Sequence, residues 1–134
     1  MTESAAKMIE SNQNNVAFLS ITGPEKTGKS FLMGHILGVP RAFDDSSVLQ
    51  SEHHPVINIF SEPLGLEKNN QVFDVYLLDC QGFGKSSEYD AQIFSIAILM
   101  SSMVIYNQKG PISNSSIEKM SFCQNILKQI SEQN

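Results

Sequence analysis

Cysteine is scarce in this sequence, and the two that occur, Cys80 and Cys123, stand far apart with no Cys-x-x-Cys spacing. That excludes a disulfide framework and a cysteine-based zinc site, leaving two buried, reduced thiols as the simple account. An excess of positive charge is also missing. The formal net charge is -5, which argues against a nucleic-acid partner or an acidic membrane surface. The longest apolar stretch, Ile93 to Tyr106, is broken by Ser95, Ser101 and Ser102 and falls short of the ~20 residues a bilayer span needs. Met1 to Asn15 is polar and lacks the apolar core of a secretory signal, so a cytoplasmic location is expected, with no membrane contact encoded in this chain. No G-x-S-x-G nucleophile elbow occurs, and no internal repeat interrupts the chain.

What the sequence does hold is a loop pattern in a telling context. At 134 residues, with 41% hydrophobic and 17% charged residues, the chain suits one domain with a modest core. Gly23-Pro24-Glu25-Lys26-Thr27-Gly28-Lys29-Ser30 fits G-x-x-x-x-G-K-S/T. In that pattern glycines let backbone N–H groups converge on an anion, the lysine reaches the outer phosphates and the serine hydroxyl ligates magnesium. The apolar run Val16 to Thr22 feeds the loop as a strand buried on both faces, and a helix opening at about Lys29 aims its positive end at the bound charge. Lys26 and Lys29 form a local basic spot. The helix is expected to turn Phe31, Leu32, Ile36 and Leu37 to the sheet and to stop at Gly38 and Pro40.

Downstream, Arg41 to Pro55 has no clear period and is a candidate switch segment. Val56 to Phe60 and Val72 to Asp79 read as strands that pair antiparallel, with turn chemistry between them at Pro63, Gly65 and Glu67 to Asn70. Ser87 with Asp90 resembles a capping box opening a helix whose apolar positions are Ile93, Ile96, Ala97 and Met100. Met103 to Tyr106 reads as a strand. A last helix from about Ser115 puts Ile117, Met120, Leu127 and Ile130 on one face, and Met100, Met103 and Met120 read as core filling. The order β-α-β-β-α-β predicts a P-loop NTPase fold: three α/β/α layers around a mostly parallel sheet with one antiparallel hairpin strand. Residues 1–15 are expected as a polar tail, loose or a frayed helix, and 16–134 as the domain.

A second chemical feature is Asp79-Cys80-Gln81-Gly82, ending an apolar strand. An acid there, beside the phosphate loop, is placed to hold magnesium directly or through water, and Gly82 lets its N–H approach a terminal phosphate. His53-His54 lacks a third ligand for a transition metal and reads as a solvated loop. A small P-loop kinase would need arginines and a lid that the segment after Tyr106 lacks.

Gly23 to Ser30, the run Leu78 to Gly84 and the run Ile93 to Asn107, with its Ser101-Ser102-Met103-Val104-Ile105-Tyr106-Asn107 ending, resemble the guanylate-binding protein and atlastin class of dynamin-related large GTPases. The likeness covers about Val16 to Ile130, and implies the first half of a G domain, incomplete here. It implies GTP or GDP as ligand, magnesium as cofactor, hydrolysis of GTP and a nucleotide-dependent homodimer. By resemblance, Gly23 to Phe31 with Asp79 and Gly82 bind nucleotide. Lys29 contacts the β- and γ-phosphates, Ser30 and Asp79 hold magnesium, and Lys26, Ser51 and Gln81 occupy catalytic positions. Three departures bear on turnover. Lys26 stands where the family has an arginine, His53 where it has a magnesium-binding threonine, and Gln81 where it has a glutamate. A lysine keeps the charge but not the planar fork of the arginine. Slow hydrolysis is therefore expected, the alternative being a degenerate domain that binds nucleotide or a partner without useful turnover. The element that reads the base lies beyond Asn134 in the family, so guanine preference is not legible here.

Overall fold

β1 (Asn15–Thr22) is an inner strand of the sheet and is fully buried at its carboxyl end, with Ser20, Ile21 and Thr22 all at 0% exposure. The computed structural model describes residues 3–39, 57–82, 84 and 87–132. Their remaining elements are α1 (Glu3–Glu10), α2 (Lys29–Leu37), β2 (Ile57–Ile59), β3 (Leu64–Lys68), β4 (Gln71–Cys80), α3 (Ser87–Met100), β5 (Met103–Tyr106) and α4 (Asn114–Glu132). The candidate switch from Arg41 to Pro55, including Ser51, His53 and His54, lies outside the described residues.

β1 pairs in parallel with β4 on one side, Asn15 opposite Phe73 through Ile21 opposite Asp79, and with β5 on the other, Leu19 opposite Met103 through Thr22 opposite Tyr106. The chain thus runs out to one side of β1 and returns on the other. That reversal opens a crevice at the carboxyl ends of the strands, where open α/β sheets bind ligands. Alternate residues face opposite layers. Leu19, Ile21, Leu77 and Ile105 pack with Met33, Leu32, Ile36 and Leu37 of α2, whereas Cys80, Val104 and Tyr106 pack with Ile93, Phe94, Ala97 and Ile98 of α3. A period of two along the strands thus gives a sheet with a helix on each face, the expected α/β layering.

At the antiparallel edge β2 pairs with β4 as expected, but a further strand is present. Residues 63–70 were expected to supply only turn chemistry, yet Leu64–Lys68 is a strand, paired with β4 from Leu64 opposite Val75 to Lys68 opposite Gln71. β2 pairs with the other end of β4, Ile57 opposite Cys80. Since β1 occupies one side of β4 along 73–79, β2 and β3 are two segments of a single edge, interrupted around Pro63, which has no N–H to give to a ladder. Cross-strand partners along β4 outweigh the turn-like composition of Gly65 and Glu67. The reversal itself is confined to Asn69 and Asn70, both left-handed at φ 52 and 60.

Other departures concern helix phase and edges. Phe31, expected toward the sheet, is 66% exposed. It lies two residues, roughly 200° of helix, from the buried Met33, and stacks on His35 one turn later with ring centroids 4.3 Å apart. In α3 the buried positions are Ile93, Phe94, Ala97 and Ile98, and Ile96 faces out. From Ile93 to Met100 this helix is apolar but for Ser95, so spacing there does not fix its rotation. Met103, expected in the core, is 61% exposed because it begins the edge strand β5. Ile117 and Met120 are exposed on α4, which packs against α3. Gly38 closes α2 as expected, in the left-handed conformation with its N–H on His35 O, and Val39 N–H reaches Gly34 O. At the opposite end of the sheet, Asn12 and Asn14 amides donate to Asp74 Oδ2 at 2.8 and 3.0 Å, fastening the N-terminal segment to β4.

The two-residue turn at Asn69-Asn70 has the conformation in which glycine is favoured at the second position. Asn70→Gly is expected to stabilise the fold by about 0.5 kcal/mol and Asn70→Val to destabilise it by about 1–2 kcal/mol. Urea unfolding midpoints of the two variants check the opposite signs.

Candidate functional site

The loop after β1 is built around two glycines whose roles differ. Gly23, at φ 139, lies so close to β5 that a Cβ there would sit 2.1 Å from Asn107 O. Gly28 precedes α2 in the left-handed conformation, φ 85 and ψ 28, so that its carbonyl accepts from Leu32 N–H and the helix starts at Lys29. Lys26 is left-handed too, at φ 57, an uncommon conformation for a residue with a side chain. Such conformations persist where the surroundings over-determine them. Here the surroundings are a set of short bonds. Thr27 Oγ1 donates to Pro24 O at 2.9 Å, Lys29 Nζ to Pro24 O at 2.8 Å, and Asn107 Nδ2 to Thr27 O at 3.0 Å. Asn107 N–H also donates to Thr22 O at 2.7 Å.

Asn107 is thus a structural member of the site that spacing arguments leave unassigned. Its signals in the sequence are a polar residue directly after a short apolar strand and its place at the end of the run that carries the family resemblance. Its amide and its main chain join the end of β5 to both ends of the loop.

The parallel register brings β4 to the same place. Asp79, opposite Ile21, is 8% exposed, and Ser30 Oγ donates to its Oδ2 at 2.7 Å. Lys29 is 7% exposed. Gly82 is packed beneath the loop: a Cβ there would fall 2.6 Å from Glu25 Cα and 2.8 Å from both Glu25 Cγ and Lys29 Nζ. Gly23, Pro24, Glu25, Lys26, Thr27, Gly28, Lys29, Ser30, Asp79 and Gly82 are therefore gathered at one edge of the sheet. Phe31 adjoins them but faces solvent. Gln81 follows β4, and its side-chain oxygen accepts from the Tyr89 hydroxyl of α3. The Asp90 carboxylate accepts the N–H of Gly84 at 3.1 Å to each oxygen; the side chain of Ser87, its expected capping-box partner, lies outside the described residues.

The donor set suits magnesium. Ser30 Oγ and Asp79 Oδ2 are hard oxygens already within 2.7 Å of each other, and magnesium takes few protein ligands, keeping its other positions for water and phosphate oxygens. Among the described residues no cluster of three His, Cys, Asp or Glu side chains forms a protein-only metal cage. Beside this group, Cys80 points into the α3 side of the sheet. Burial and then the neighbouring Asp79 charge push its thiol from the ordinary 9.0 up to about 12, against smaller lowering effects from Ser20 and Lys29. It stays a neutral thiol at neutral pH.

A family model described as "Guanylate-binding protein, N-terminal domain" matches residues 1–134. The chain is 28% identical over 134 residues to guanylate-binding protein 6 of Pongo abelii, covering 97% of this chain and 20% of that protein. It is 28% identical over 130 residues to guanylate-binding protein 1 of Chlorocebus aethiops, covering 94% and 21%. It is 31% identical over 120 residues to guanylate-binding protein 5 of Mus musculus, covering 87% and 20%. The chain thus spans about a fifth of the length of these curated relatives. Among the described residues no helix is long and apolar enough to cross a membrane.

Two outcomes follow from this geometry. Gly23→Ala sets a Cβ against the carbonyl of Asn107 at a positive φ and is expected to cost about 2–3 kcal/mol in urea unfolding. The raised Cys80 thiol gives a pH signature. Above pH 9 the unfolded chain loses this proton while the folded chain keeps it until about 12, so its stabilising effect is complete below pH 9 and declines between the two values. The unfolding midpoint of the wild type is expected to fall more steeply over that window than that of Cys80→Ala.

Proposed function

This chain belongs to the guanylate-binding protein family, and from that premise we propose that it binds GTP with magnesium and hydrolyses it slowly. The observation that carries the reading is the Ser30–Asp79 hydrogen bond beside the buried Lys29. It joins the serine of one motif to the acid of another across 49 residues of sequence. In this reading, backbone N–H groups from Gly23 to Lys29 cradle the phosphates, the Lys29 ammonium moves from Pro24 O to the outer phosphates, and Gly82 N–H meets the terminal one. Ser30 and Asp79 would hold magnesium, which when bound neutralises charge on the β- and γ-phosphate oxygens. Residues 16–134 then form part of a G domain and residues 1–15 lead into it. A cytoplasmic setting and a nucleotide-dependent homodimer belong to the same proposal.

Slow turnover is supported by the residues at the catalytic positions. Lys26 offers a point charge where spread-out transition-state charge is best met by a guanidinium fork. Gln81 carries no charge and is engaged by Tyr89. Ser51 is assigned to orienting the attacking water by resemblance alone. The same residues support a second reading, a domain that holds nucleotide or a partner without useful turnover. The two part on hydrolysis, since both require binding.

Fluorescent GTP, GDP and ATP analogues titrated onto the wild type and Lys29→Ala test the shared premise. Binding on the order of micromolar, weakened about 100-fold in the variant, is expected. Equal binding by the two proteins would sink it. In single-turnover assays Lys26→Arg is expected to speed hydrolysis by about tenfold or more, and wild-type turnover already matching an active large GTPase would remove the slow-hydrolysis reading.

A further inference from the structure

The phosphate loop carries an acid at its third position, which the motif leaves open. Glu25 does not project away from the site along its length. Its Cα and Cγ lie 2.6 and 2.8 Å from the point where a Gly82 Cβ would be. Further out, its Cγ and Cδ lie 3.9 and 4.0 Å from the corresponding point on Gly84. The side chain therefore runs along the second loop from Gly82 to Gly84, and Lys29 Nζ stands 2.8 Å from that same Gly82 point. The Lys29 ammonium and the Glu25 side chain both lie over Gly82, at the end of the loop that a terminal phosphate would reach.

Around that stretch the Lys29 ammonium faces more than one acid. Asp79 lies beneath Ser30, and Asp90 already accepts the Gly84 N–H, so that amide is not free to offset a further negative group. An incoming anion meets the Glu25 carboxylate in proportion to how near its charge comes to Gly82. Coulomb repulsion falls with distance, so a terminal phosphate feels it more than the inner phosphates cradled behind it. Resting on the reading of the loop as a nucleotide site, we infer that Glu25 is a specificity-determining residue that biases the site toward nucleoside diphosphate and against triphosphate. Water reaches this exposed side chain, which holds the bias to a modest factor.

The test is a titration of fluorescent GDP and a fluorescent non-hydrolysable GTP analogue, with magnesium, onto the 134-residue chain and its Glu25→Gln variant. Glu25 is exposed, and glutamine keeps its shape while removing its charge. The variant is expected to bind the triphosphate analogue about fivefold more tightly and the diphosphate less than about twofold more tightly. The difference is expected to shrink in about 1 M salt, where screening acts over roughly 3 Å. Equal shifts for both nucleotides, or no shift, overturn the role of Glu25 while leaving nucleotide binding intact. Failure of both proteins to bind either nucleotide overturns the nucleotide reading and this inference with it.

Discussion

The site exists because Ile21 of β1 lies opposite Asp79 of β4 in a parallel pairing. Side chains alternate between faces with a period of two, so a slip of one residue would send Asp79 to the α3 side and bring Cys80 toward the loop. The register is held by apolar residues away from the chemistry. Leu19, Ile21 and Leu77 face α2, and Cys80 faces α3. With that register in place, the start of α2 follows from Gly28, and Ser30 arrives within 2.7 Å of the Asp79 carboxylate. The packing of the core and the meeting of the two motifs are therefore one arrangement.

The charge at this edge is local in a chain that is acidic overall. Lys29 and Asp79 are both nearly buried, and burial strengthens the attraction between them, whereas the charge of the exposed Glu25 is screened by water. The rise of the Cys80 thiol to about 12 has the same origin, since a neighbouring carboxylate and the lack of water both oppose a second anion. Cation, carboxylates and neutral thiol sit within a few residues of the same strand end.

Much of this was legible in the sequence for a definable reason. The strand from Val16 to Thr22 is apolar but for Ser20 and Thr22, the glycines at 23 and 28 meet special backbone needs, and Gly38 ends α2 as its position suggests. Asp79 and Gly82 declare themselves by following an apolar strand. What was not legible depended on tertiary contact. β3 is turn-like in composition and becomes a strand because β4 is long enough to pair with it. The rotation of α3 is hidden by the run from Ile93 to Met100, apolar but for Ser95, and Phe31 is apolar yet lies outside the stripe centred on Met33. Asn107 is marked by the resemblance, but its bonds are not legible: its partners, Thr22 and Thr27, are 85 and 80 residues away in sequence and adjacent in space.

That last contact has a consequence for how the domain opens. Asn107 directly follows β5, the edge strand of the described sheet, and bonds both to the residue before the loop and to a residue within it. An edge strand paired on one side is among the easier parts of a sheet to lose locally. Because the loop is tied to it, fraying of β5 and loosening of the loop are one cooperative event. Any anion that orders the loop must then also raise the free energy of opening the Met103–Tyr106 backbone amides, through thermodynamic linkage.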